Sequence, residues 1–207
     1  MLKRVTSIFP KRSLAKLSIG RFYTQDRAVE YNEQHDKNKL VQTQTISPYT
    51  LKVCVGRILS VTRHHNADSL YVEEIDVGED KPRIVCSGLV GKVEESQMQD
   101  QQVLVVCNLK PSNMRGVKSE AMILCASDDA NNVQLLKIPS TATVGERVEY
   151  ENCERHDPDE RVNDKKLTKI MSLWGTDSQG NVVYNKTHTV KVSGQAVTSS
   201  YVNSVVK

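Results

Sequence analysis

Aromatic residues are scarce, at 5% of the 207 residues, with one tryptophan and two phenylalanines. A core built from this chain must therefore be mainly valine, isoleucine and leucine. No apolar run approaches the ~20 residues of a membrane-spanning helix. The five cysteines (54, 86, 107, 125, 153) include no C-x-x-C pair. The first four sit in apolar runs, where a thiol behaves as a small hydrophobe, so buried reduced cysteine is expected rather than a disulfide or metal framework. The five histidines show no H-E-x-x-H spacing, and no metal site is expected. Side by side on a strand, His64 and His65 would point in different directions. Synthetase signatures, a glycine-rich phosphate loop and a nucleophile elbow are all missing. The expected activity is binding, not catalysis, and no cofactor is implied.

Acidic residues are also missing where basic ones begin. Residues 1–23 carry Lys3, Arg4, Lys11, Arg12, Lys16 and Arg21 and no Asp or Glu. This composition, interspersed with serine and leucine, is that of a mitochondrial transit peptide. Arg21-Phe22-Tyr23 before Thr24 resembles a processing site, so cleavage near Tyr23 and a matrix location are expected. Residues 24–50 are polar and read as a linker. The leader holds six of the 28 basic residues, which leaves 22 against 25 acidic residues, a net charge of −3. A body of that charge is not a nonspecific nucleic-acid coat. Any nucleic-acid contact has to be a local patch.

What is present from residue 51 onward is a series of short β-type runs. The segments 52–62, 70–77, 83–89, 102–107, 121–126 and 133–138 are β-branched and bounded by turn residues. Gly56 within the first run marks a bulge or a tight bend. In the second, Leu70, Val72, Ile75 and Val77 are core candidates. Their spacing breaks, which predicts a bulge near Glu73–Glu74. Residues 93–100 are helix-compatible. Five or six short strands with one small helix predict an all-β fold, a five-stranded OB-type barrel over 51–150. A mixed C-terminal extension follows over 151–207. It contains Lys165, Lys166, Lys169 and Trp174 in 163–175, a strand-like run at 181–192 and a polar tail from 193.

The segment NLKPSNMRGVKSEAM (108–122) lies between two β-type runs. It gathers Lys110, Arg115 and Lys118 with the amides of Asn108 and Asn113 around Pro111 and Gly116. Cations and amide donors on a loop held between strands suit a phosphate backbone. A solvated connecting loop is the plain alternative.

Together with GRILSVTRHHNADSLYVEEIDVGEDKPRIVCSGLV (56–90), this segment resembles the EMAP-II-type tRNA-binding domain family. These OB-fold modules are related to the C-terminal domains of synthetases and synthetase cofactors. The likeness runs over about residues 51–207. It implies tRNA binding by shape and backbone, without base-sequence specificity, in an auxiliary role to an aminoacyl-tRNA synthetase. The matching positions are Asn108, Lys110, Met114, Arg115, Gly116, Ser119 and Met122, with Lys118 beside them. Both methionines suit packing better than contact. Arg63 and His64 are candidates to extend the surface, and Lys165 and Lys166 to widen the basic patch. Ser87 and Gly88 match a strand-three pattern that serves the backbone. The family often has His-Pro where this chain has His64-His65, a departure bearing on the rigidity of that loop. In the family the extension imitates a dimer interface, which implies a monomer. Two other readings stay open. One is a protein-interaction scaffold with vestigial RNA binding. The other is an oligosaccharide-binding barrel, which would need exposed aromatics among Tyr49, Tyr71 and Tyr150.

Overall fold

Alternating apolar residues build two main sheets with no strand in common, packed on a shared core. The computed structural model describes residues 46–207. The basic leader at 1–23 and its processing site lie outside the described residues, as does most of the polar stretch at 24–50. The last part of that stretch is not a linker. Ser47 caps a short 3-10 turn, Pro48–Thr50, whose three residues are all buried.

The first sheet is antiparallel, in the order β3-β2-β1-β4-β7. Its strands are β1 (Val53–Arg63), β2 (Tyr71–Asp76), β3 (Arg83–Ser87), β4 (Gln102–Val106) and β7 (Met122–Ile123). Between them come helix α1 (Glu95–Met98) and a separate hairpin, β5 (Ser112–Met114) with β6 (Val117–Ser119). Beyond β3 the barrel is drawn together by two bonds: the Glu120 amide donates to the Ile84 carbonyl (2.8 Å), and the Cys86 amide to Ser119 Oγ (3.0 Å). The result is the nearly closed five-stranded OB-type barrel that the strand pattern predicts.

Two sequence expectations are corrected here. The bulge is in β1, not near Glu73–Glu74. Ile58 faces Ile75 while Ser60 faces Glu74, so Leu59 is the extra residue. With β2 unbroken, Tyr71, Glu73, Ile75 and Val77 all turn inward, and Leu70 and Val72 do not. The sequence pattern misled because an ionisable side chain takes an interior place. Gly56 is not a bulge either, since it sits in register opposite Val103. Its role is close packing: a Cβ there would lie 2.7 Å from Ile75 Cγ2 and 2.9 Å from Val105 Cγ2.

Strand β4 and the first part of β1, through Gly56, are buried on both faces, which explains their near-continuous apolar sequence. Cys54, Ile58, Val103 and Val105 face the barrel interior, with Val85 and Met98. Val53, Val55, Leu104 and Val106 face the opposite way, into a core completed by Tyr49, Trp174, Tyr184 and Val190. The C-terminal extension thus covers the outer face of the barrel. Its strands are β10 (Glu149–Tyr150), β11 (Trp174–Thr176), β12 (Val182–Tyr184), β13 (His188–Val192), β14 (Gln195–Ala196) and β15 (Val205–Val206). They join β8 (Cys125–Ser127) and β9 (Val133–Leu135) in a second sheet, ordered β10-β13-β12-β11-β15-β8-β9, with β14 on β13. The segment from Ser193, read as a polar tail, is part of this structure. Val197 and Val206 are fully buried, and β14 and β15 both pair. Helix α2 (Asp164–Met171) starts at Asn163, whose side chain accepts from the Lys166 amide, and buries Ile170.

Among the described residues no helix is long and apolar enough to cross a membrane. No cluster of His, Cys, Asp and Glu among them could hold a metal ion. Four of the five cysteines are buried, and all five are free thiols.

Candidate nucleic-acid interface

The basic segment folds into the β5–β6 hairpin because its central pair tolerates an unusual backbone. Arg115 and Gly116 both have positive φ, +55° and +102°. These are the signs a two-residue hairpin turn needs to match the twist of its strands. A glycine adopts that conformation freely, whereas an arginine is held there only by its surroundings. Asn113 provides one restraint, its Oδ1 accepting from the Gly116 amide (2.8 Å). His64 provides another. Its Nδ1 accepts from the Asn66 amide (3.0 Å), so Nε2 carries the proton and donates to the Met114 carbonyl (3.0 Å). Register places Asn113 opposite Lys118 and Met114 opposite Val117. Asn113 and Lys118 are exposed, while Met114, Val117 and Ser119 turn toward the barrel. Arg115 stands exposed at the tip, above an open cleft lined by Asn66, Asp68, Ser69, Asn113 and Met114.

The predicted site residues divide into those that present a charge and those that hold the loop. Lys110 and Arg115 are exposed and have no carboxylate partner among the described residues; Lys165 is the same. Lys118 is exposed but paired with Glu120 (3.0 Å), and this bond is the main cause of the lowered Glu120 pKa. Arg63 leans on Glu95 (3.4 Å), its guanidinium 6.0 Å from the centre of the Tyr71 ring. Lys166 is half-buried and paired with Asp159 (2.5 Å). Met122 lies half-buried in β7 against the outer core.

Three residues expected to face the ligand have their polar atoms engaged within the protein. Asn108 is buried. Its Nδ2 donates to the carbonyls of Thr50 and Asp159 (both 2.9 Å), and its Oδ1 accepts from the Lys52 amide (2.9 Å). Ser119 Oγ accepts from the Cys86 amide and donates to the Ala121 carbonyl (3.2 Å). His64 is committed as described above. The two histidine rings do not point apart: they stack, with centroids 4.8 Å from one another. Both lie beyond Arg63, the last residue of β1, where strand alternation no longer applies. Ser87 is also engaged, with its hydroxyl bonded to the Glu73 carboxyl.

Sequence reasoning missed Arg83. Its Nη1 donates to the carbonyls of Cys107 (2.6 Å) and Glu120 (3.1 Å), one at each end of the basic segment. Glu79 fixes the guanidinium from the other side (2.7 and 2.8 Å), and that bond, with help from Lys52, lowers the Glu79 pKa. An arginine next to Pro82 at the start of β3 gives little local sign of this work, because both carbonyls are remote in sequence.

The extension reaches the same place. Leu109 bridges Val162, and the Val162 amide donates to the Asn108 carbonyl (2.9 Å). Helix α2 begins two residues later, so Lys165 belongs to the base of the hairpin and not its tip. Tyr49, Tyr71 and Tyr150 are all buried, leaving no aromatic platform of the kind an oligosaccharide site would need.

Comparison with known proteins identifies the family of the fold that carries this surface. The family model "Putative tRNA binding domain" matches residues 53–147. The cytoplasmic tyrosine–tRNA ligase of Gallus gallus is 42% identical over 168 residues, covering 80% of this chain and 31% of the ligase. The aminoacyl tRNA synthase complex-interacting multifunctional protein 1 of Cricetulus griseus is 47% identical over 116 residues, 56% of this chain and 32% of that protein. The chain thus spans about a third of the length of these relatives. The crystal structure of the C-terminal domain of Plasmodium vivax p43 superposes with a TM-score of 0.72 at 32% identity, over 77% of this chain and 98% of that domain. Its fold, the matched segment and the extension all agree, and the chain belongs to this tRNA-binding domain family.

Proposed function

We propose that this chain is a non-catalytic tRNA-binding module that grips the folded RNA through its phosphate backbone. The observation that carries this reading is the presentation of Arg115. It is a guanidinium without a carboxylate partner among the described residues, at the tip of a two-residue turn held at positive φ by Asn113 and His64. A guanidinium suits bidentate phosphate contact, and the restrained loop limits the ordering cost of binding. Lys110 and Lys165 extend the cationic line toward the hairpin base, with Lys118, Arg63 and Lys166 supplying charge already shared with carboxylates. Such a surface reads shape, not sequence.

The test compares binding of the full chain to folded tRNA and to an unstructured RNA of equal length. Arg115→Ala is expected to weaken tRNA binding by about 1–3 kcal/mol and to lower the salt slope by about one. Equal affinity of wild type and variant would remove the hairpin tip from the interface. Failure of the wild type to bind at low salt would favour the scaffold reading. That alternative rests on the net charge of −3 that remains beyond residue 23.

The relatives are synthetases and a synthetase-complex protein, so the role is to raise the local concentration of tRNA near such an enzyme. The module acts as a monomer, with its extension covering the barrel. The composition of residues 1–23 supports delivery to the mitochondrial matrix and removal of the leader after Tyr23. N-terminal sequencing of the protein from purified mitochondria is expected to begin at Thr24. An intact Met1 there would overturn this part of the proposal.

A further inference from the structure

Cys54 and Cys107 are brought together by the β1–β4 register. Cys54 faces Val105, and Cys107 follows two residues later on the same side of the sheet. Both side chains enter the barrel core, and their sulfurs lie 3.2 Å apart. None of the other three cysteines has a thiol neighbour among the described residues. We propose that Cys54 and Cys107 are a redox modification site, a dithiol that a peroxide converts to an intrachain disulfide.

The surroundings favour this chemistry. The thiol of Cys54 is shifted below its ordinary pKa, first by the hydrogen bond it receives from Cys107. Lys52 and Arg83 add to the shift and burial opposes it. That bond raises the Cys107 thiol correspondingly. The pair is thus divided into an attacking sulfur and a proton-bearing one. Cys107 also lines an open cleft with Arg83, Asn108 and Glu120, a route for a small oxidant. Diagonal neighbours in a sheet stand about 7–8 Å apart, slightly beyond the spacing a relaxed disulfide bridges, so closure requires backbone movement. Cys107 lies one residue past the end of β4, where the backbone has freedom to close the difference.

The reaction balances with one peroxide. The Cys54 thiolate attacks a peroxide oxygen and the O–O bond breaks, giving a sulfenic acid and hydroxide. The hydroxide takes the Cys107 proton and becomes water. The Cys107 thiolate then attacks the sulfenic sulfur. The S–O bond breaks, and the departing hydroxide recovers from solvent the proton that Cys54 had released. Two thiols are oxidised to one disulfide and one peroxide is reduced to two waters. The new bond would tie the first strand to the stem of the hairpin, one residue before Asn108.

The experiment treats the full chain with hydrogen peroxide, blocks remaining thiols by alkylation and maps peptides without reduction. The expected result is a peptide joining Cys54 to Cys107, an intact mass lower by two hydrogens and reversal by dithiothreitol. Cys54→Ala and Cys107→Ala each abolish the link, and Cys86→Ala keeps it. The wild-type map alone is decisive if a variant does not fold. Recovery of both residues alkylated would overturn the proposal. So would their recovery as separate sulfinic acids, or a link between copies through Cys153 with both still reduced.

Discussion

Exchange of Glu73 for glutamine is expected to make the protein more stable in mildly alkaline solution and to change little in acid. Glu73 is fully buried inside the barrel. One carboxyl oxygen is bonded to Ser87 and the other, Oε2, has no partner among the described residues. Burial raises its pKa from 4.5 to about 7, opposed in part by the Ser87 bond. The sign follows from which state keeps the proton. Between those two values the unfolded chain has lost it and the folded protein still holds it, so rising pH favours unfolding. The folded state has its full advantage below pH 4.5 and loses it progressively up to about pH 7. At about 1.4 kcal/mol for each tenfold change in proton affinity, the loss is roughly 3 kcal/mol. Glutamine keeps the shape and has no proton to lose. Urea unfolding of both proteins at about pH 5 and about pH 8 isolates the effect, because all other titrations are shared. A stability difference that stays constant between the two conditions would show that Glu73 does not titrate in this range. The same carboxyl adds to the burial that raises the pKa values of Cys86 and Cys125, so neither is expected to be a reactive thiol.

The second large effect concerns Asn108. Replacing it with alanine is expected to cost about 2–4 kcal/mol. The mechanism is the stranding of backbone groups. Lys52 loses its acceptor and the Asp159 carbonyl its donor, while the Thr50 carbonyl keeps only the Asp159 amide (3.2 Å). These three groups come from the segment before β1 and the segment before α2, so the variant loosens the extension from the barrel. The lowered urea midpoint is to be read beside tRNA affinity measured on the folded fraction. A structural clasp predicts a large change in the first and a small change in the second. The reverse would return Asn108 to the interface. This contrast separates Asn108 from Arg115, whose loss is expected to affect RNA binding and leave the fold intact.

The sequence carried much of the barrel and less of the site. Strand alternation was legible because apolar residues at period two, bounded by turns, have few other solutions. The basic hairpin was legible because Gly116 and the polar residues around it mark a turn. Three things were not legible. Glu73 occupies an inward position, and no local rule allows for a buried carboxyl, so the alternation reads as broken there. Residues 193–207 look polar because Val197 and Val206 are spaced among serines, yet Val197 bonds to Val190 and Val182, and Val206 pairs with Ala126, far back in the chain. Asn108, Ser119 and His64 are all good donors or acceptors for RNA by type. Whether such a group faces solvent or is used by a distant peptide depends on contacts that composition does not encode. The result is a division of labour that only geometry reveals: polar side chains brace the loop from below, and cations occupy its outer surface.

Strand β15 has a consequence for what counts as a part of this molecule. Val205 pairs with Gly175 on one side and with Ser127 on the other, so a two-residue strand is the ladder between β8, which follows barrel strand β7 directly, and the extension's β11. The boundary near residue 150 that composition suggests is not an energetic one. Opening either half breaks bonds in the other and exposes a shared core, and the two halves therefore gain or lose their order as one cooperative unit. In such an arrangement the extension is not cargo attached to a finished barrel. It is the missing wall of a single core that reaches from Tyr49 to Val206.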